Sequence, residues 1–125
     1  MACKLLLIRH GETVDNVNRI MQGQTPGKLT ENGINQARCL GAELSQKHID
    51  AFVSSDLQRA VDTCVEVAAP HFQGNRHTAL ANIFQTPLLR ERDWGSFTGR
   101  YIPDLKDAKW TPDIETTDAM RQRAN

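Results

Sequence analysis

Residues 5–13 read Leu-Leu-Leu-Ile-Arg-His-Gly-Glu-Thr, and no other stretch constrains the fold as tightly. An unbroken apolar run bounded by polar residues is the pattern of a strand buried on both faces, as in a parallel sheet covered by helices. The pattern predicts a strand over residues 4–8. The run stops abruptly at Arg9-His10-Gly11, and open α/β sheets bind ligands at the carboxyl ends of their strands. The side chains found there suit phosphate chemistry. A histidine can attack phosphorus, an arginine can hold phosphate through paired hydrogen bonds, and a glycine lets the backbone come close.

The remaining chain alternates helical and strand-like patterns. Residues 15–28 are polar, with Gly23, Pro26 and Gly27, and read as a long loop. Thr30 is placed to cap a helix with Ile34, Ala37, Leu40, Gly41 and Leu44 on one face. Residues 51–54 read as a second strand. Ser54, Ser55 or Asp56 can cap a second helix, with Leu57, Ala60, Val61, Cys64 and Ala68 facing inward and Pro70 ending it. A turn is expected at Gly74-Asn75, a third and weaker strand over 77–80, and a short helix over 101–109. A last helix is expected to start near Thr116 or Thr117, with Met120 inward. Residues 88–99 lack periodicity, as expected of a segment lining a site. This order of elements predicts an α/β fold with a mostly parallel sheet and helices on its faces.

Composition narrows the functional classes. With 125 residues, 39% hydrophobic and 24% charged, the chain is ordinary globular material of one domain or part of one. Fifteen basic and fifteen acidic side chains cancel, so no overall field favours nucleic acid or an anionic membrane. Cys3, Cys39 and Cys64 are widely spaced, which suggests reduced, mostly buried thiols in a cytoplasmic protein. The N-terminal apolar run is too short for a signal peptide or a membrane span. No glycine-rich nucleotide loop, metal-ligand cluster or carboxylate group suited to Mg²⁺ is visible, so no cofactor and no metal is expected.

Three side chains are the leading candidates for chemistry. His10 is the candidate nucleophile, with one ring nitrogen bare and the other held by an acceptor. Arg59 lies just after the second strand. Considered alone it reads as a solvated helix residue, but parallel strands bring their carboxyl ends to one edge, where Arg59 and Arg9 could converge on one dianion. Glu91 could be a surface ion-pair partner of Arg90 or Arg92, or the general acid for a departing alkoxide. The second role needs a protonated carboxyl, which a nearby bound phosphate would favour. Glu12 and Asp93 are weaker claimants. Asn16, Gln22, Gly23 and Thr30 could donate to substrate oxygens. His48, His71 and His77 sit in no constellation, and Trp94 and Trp110 read as packing residues.

Taken in order, these segments resemble the histidine phosphatase superfamily, which includes the cofactor-dependent phosphoglycerate mutases. Arg9-His10-Gly11-Glu12-Thr13 with Asn16 resembles the family signature. So do Leu29-Thr30-Glu31-Asn32-Gly33 with Gln36-Ala37, Ser54-Ser55-Asp56-Leu57 with Arg59-Ala60 and Thr63, and residues 89–99. The resemblance implies a three-layer α/β/α, phosphoglycerate mutase-like fold. It also implies a phosphohistidine on His10, phosphate clamps at Arg9 and Arg59, a proton donor at Glu91, and Asn16, Gln22 and Gly23 on the substrate side. No metal is implied.

Leu89-Arg90-Glu91-Arg92-Asp93-Trp94-Gly95 resembles the form found in mutases and in fructose-bisphosphatases of the TIGAR-like type. The mutases usually carry a longer insertion capping the pocket, for which this chain has no room, so a phosphatase acting on a small phosphate monoester, such as a sugar phosphate, is favoured. A phosphoglycerate-type mutase and a non-catalytic phosphate-binding module are the alternatives. The family also carries a second catalytic histidine in a later strand-His-Gly motif, and no histidine follows Glu91 here. In the family fold that later strand lies between the strands expected at 4–8 and 51–54. Residues 1–125 are therefore expected to be the N-terminal part of such a domain, with open edges on those two strands.

Overall fold

A computed structural model describes residues 2–125. Its centre is a parallel pair of strands, β1 (Phe52–Ser55) and β2 (Ile83–Thr86), in the register Phe52 to Ile83 through Ser55 to Thr86. The helices are α1 (Val14–Asn18), α2 (Glu31–Leu44), α3 (Gln58–Ala68), α4 (Arg76–Ala81) and α5 (Thr117–Ala124). The crossover from β1 to β2 runs through α3, a 3₁₀ turn at Ala69–Phe72 and α4. Parallel neighbours require such a connection, and the fold is α/β.

Side-chain alternation divides the sheet into a covered and an open face. Ile83 and Phe52 join a core with Ala68, Ala69, Ala79, Cys64 and Phe72. The next register pair, Val53 and Phe84, points the other way and is 51% and 67% exposed. Helix α2 packs on α3 closely enough that a Cβ on Gly41 would lie 2.7 Å from the Glu66 carbonyl oxygen. A second core forms around Phe97, Leu105 and Ile114, with Met21, Trp94 and Ala108 against it.

Helix caps appear where the sequence offers them. Thr30 caps α2 by accepting from Gly33 N–H, and Thr116 caps α5 by accepting from Ala119 N–H. Met120 is half-buried, as expected. Before α3, Ser55 Oγ accepts from Leu57 N–H, while the cap residue itself is Leu57.

Several expectations are corrected. Residues 4–8 form no ladder with any described residue, because the apolar pattern specifies burial and a strand also needs a hydrogen-bonding neighbour. Leu5 and Leu7 are 74% and 87% exposed there. The third strand lies at β2, not 77–80, which belongs to α4 because Asn75 caps a helix by accepting from Thr78 N–H. The loop expected over 15–28 holds most of α1, closed by a capping box between Thr13 and Asn16. The helix expected over 101–109 is a 3₁₀ turn at Ile102–Leu105 with Pro103 in its first turn. The cysteines are free, but Cys3 and Cys39 are exposed rather than buried. Among the described residues no helix is long and apolar enough to cross a membrane.

Candidate functional site

The segment carrying His10 is held by backbone contacts. Gly11 N–H donates to Thr63 Oγ1 at 3.0 Å, and the Thr63 hydroxyl donates to the Arg59 carbonyl at 2.8 Å. A Cβ on Gly11 would lie 2.5 Å from the Gly33 carbonyl oxygen, so this approach of loop to helix requires glycine. Glu12 completes the anchorage, its N–H donating to Gln36 Oε1 and its carboxylate accepting from the Thr30 hydroxyl at 2.8 Å.

His10 lies half-buried with Nδ1 2.7 Å from the Gly11 carbonyl oxygen. A carbonyl only accepts, so Nδ1 carries the proton and the Nε2 lone pair is left bare. Burial lowers the imidazole pKa below its ordinary value of 6.5. The Gly11 hydrogen bond opposes that, the charges of Arg59 and Arg9 lower it further, and the charge of Glu91 opposes them. A neutral ring with one free nitrogen results.

Arg59 is not the solvated residue that its helical setting alone would suggest. It is 2% exposed, with Nη1 donating to the Thr25 carbonyl at 2.6 Å and Nη2 to the Gly23 carbonyl at 2.7 Å. Nη2 also reaches Glu91 Oε2 at 3.0 Å. These contacts leave guanidinium N–H groups for an incoming oxyanion. The other Glu91 oxygen accepts from the Trp94 indole N–H at 3.1 Å. Arg9 is exposed beside His10. His10, Arg59 and Glu91 are thus brought together, with Arg9 acting on His10 through its charge.

The neutral candidates have local work to do. Asn16 Oδ1 accepts from Thr13 N–H, and buried Gln22 accepts from the Thr13 hydroxyl at 2.7 Å. Gly23 supplies a carbonyl to Arg59, and Thr30 is a helix cap. His48 pairs with Asp50 at the surface, and His71 packs on Phe52 with ring centroids 5.4 Å apart. Trp94 and Trp110 pack edge to face at 5.0 Å, with the Arg92 guanidinium over both rings.

Arg90 and Arg92, the alternative ion-pair partners weighed for Glu91, are engaged elsewhere, and Glu91 pairs with Arg59 instead. Arg90 makes a two-pronged contact with Asp56 at 2.6 and 2.7 Å, tying the Glu91 segment to the turn between β1 and α3. Arg92 donates to the Glu115 carbonyl and to Thr117. Sequence reasoning missed Asp56 as a partner of Arg90, although a lone acidic residue just after a strand was available as a signal. It also missed Arg123 and Glu115, for which no motif offered one.

The sequence profile described as the histidine phosphatase superfamily (branch 1) matches residues 5–124. The chain belongs to that superfamily. Among its relatives is the fructose-2,6-bisphosphatase TIGAR B of Danio rerio, 36% identical over 106 residues, covering 82% of this chain and 39% of the relative. The probable phosphoglycerate mutase GpmB of Proteus mirabilis is 32% identical over 133 residues, covering 98% of this chain and 58% of the relative. A solved mycobacterial glucosyl-3-phosphoglycerate phosphatase complexed with VO3 superposes with a TM-score of 0.75 at 29% identity. It covers 92% of this chain and 60% of the other. The chain therefore spans about two-fifths to three-fifths of the length of these histidine phosphatase relatives.

Proposed function

We propose that this chain belongs to a phosphatase hydrolysing a small phosphate monoester, such as a sugar phosphate, through a phosphohistidine on His10. The observation carrying the reading is the His10 Nδ1 contact with the Gly11 carbonyl, which directs the Nε2 lone pair toward an electrophile. Nε2 attacks phosphorus as the bond from phosphorus to the ester oxygen breaks. Arg9 and Arg59 stabilise charge on the transferring oxygens. Glu91 delivers a proton to the departing alkoxide. In the second displacement Glu91 takes a proton from water, which attacks the phosphohistidine and releases phosphate. Asn16, Gln22 and Gly23 border the substrate side. The pairing of small-phosphate relatives with a balanced net charge supports a metabolite rather than nucleic acid as substrate, and the scattered free thiols support a cytoplasmic setting.

Incubation with a labelled phosphate monoester should give an acid-labile label on His10 and free phosphate as product. The His10→Ala protein should lose both label and turnover by about a hundredfold or more. Continued turnover by that variant would refute the assignment, and appearance of the label on a second hydroxyl of the substrate would indicate a mutase instead.

A further inference from the structure

Glu91 can meet Arg59 only if the irregular segment around it is held at the right depth. Between the 3₁₀ turns at Pro87–Leu89 and Gly95–Phe97, residues 90–94 have neither helix nor ladder to satisfy their backbone groups, so they need other partners. Arg123, on α5, supplies them. Its Nη1 donates to the Leu88 carbonyl at 2.8 Å and its Nη2 to the Glu91 carbonyl at 3.0 Å. Its Nε and Nη2 also contact the Glu115 carboxylate at 2.6 and 3.1 Å. Glu115 in turn accepts from Asp93 N–H at 3.0 Å, and its own N–H donates to the Asp93 carbonyl at 2.8 Å. The pair is largely shielded, at 19% and 14% side-chain exposure.

We propose that Arg123, paired with Glu115, is a positioning residue for Glu91. The inference rests on the reading of Glu91 as proton donor. The pair brackets Glu91, with main-chain bonds at Leu88 and Glu91 on one side and Asp93 on the other. A simple ion pair needs only its two charges, whereas here most of the remaining bonding capacity goes to the backbone of the acid segment. The planar guanidinium spans two carbonyls and a carboxylate at once, which an ammonium cannot reproduce. Glu115 balances the arginine's charge, so the effect on Glu91 is placement rather than field.

A proton donor matters in proportion to the basicity of the leaving group. The experiment therefore compares kcat/KM for p-nitrophenyl phosphate, whose leaving group needs little help, with that for glycerol 3-phosphate, whose alkoxide does. Arg123→Ala should lower the glycerol phosphate value about tenfold more than the nitrophenyl value, and Arg123→Lys should restore part of the difference. Arg123→Gln, which keeps a neutral donor, serves where the alanine variant does not fold and should show the same selectivity. In the Glu91→Gln background, Arg123→Ala should add no further selectivity. Equal losses on both esters, or multiplying losses in the double variant, would overturn the proposal. A Glu91→Gln protein that treats both esters alike would instead remove Glu91 as the acid, and with it the proposed function beneath.

Discussion

An imidazole is a nucleophile only while neutral, and His10 is kept neutral chiefly by burial, helped by the charges of Arg59 and Arg9. The folded ring should therefore titrate below 6.5, the ordinary value. Since the unfolded chain takes this proton first as pH falls, the contribution of His10 to stability is complete above 6.5 and is lost below it. Long-range ¹H–¹⁵N NMR should show a midpoint under 6.5 with Nε2 bare, and Arg9→Ala should raise that midpoint. A midpoint above 6.5 would contradict the environment described for the ring. At this scale the sequence was most legible in the meeting of His10, Arg59 and Glu91, which the strand-end positions of His10 and Arg59 already suggested. It was least legible for Arg123 and Glu115. Their partners are main-chain groups, which every residue carries and which no pattern distinguishes.

Helices with caps and clear periodicity were readable, and α2 shows why. Thr30 accepts from Gly33 N–H in the first turn, while its hydroxyl reaches Glu12 in the loop that carries His10. Thr30→Ala should cost about 1 kcal/mol in a denaturant melt. Thr30→Ser should stay within a few tenths of wild type, roughly the spread between good capping residues. A silent alanine variant would mean that the cap bears no strain on folding. Strands were harder to read. Gln85 and Thr86 cut short the apolar run of β2, leaving only Ile83 and Phe84 to mark a strand. Residues 4–8 have the run but no ladder, since pairing depends on a neighbour that local sequence cannot specify.

The whole molecule has the α/β arrangement expected, yet which surfaces are covered was invisible to the pattern. Val53 and Phe84 form a register pair on the open face, and Leu5, Leu7, Leu88 and Leu89 are also exposed. Exposed apolar surface of this kind favours association. The weight-average mass of the 125-residue chain from light scattering should therefore rise with concentration, and Phe84→Lys should suppress the rise. Unchanged scattering in that variant would locate the association elsewhere. Thr63 bears on the molecule as a whole in another way. One hydroxyl oxygen accepts from Gly11 N–H and donates to the Arg59 carbonyl, so the loop of the proposed nucleophile and the helix of the proposed clamp meet at a single atom. The spacing between them is set by a ruler one oxygen long, so removing that oxygen would release both hydrogen bonds at once.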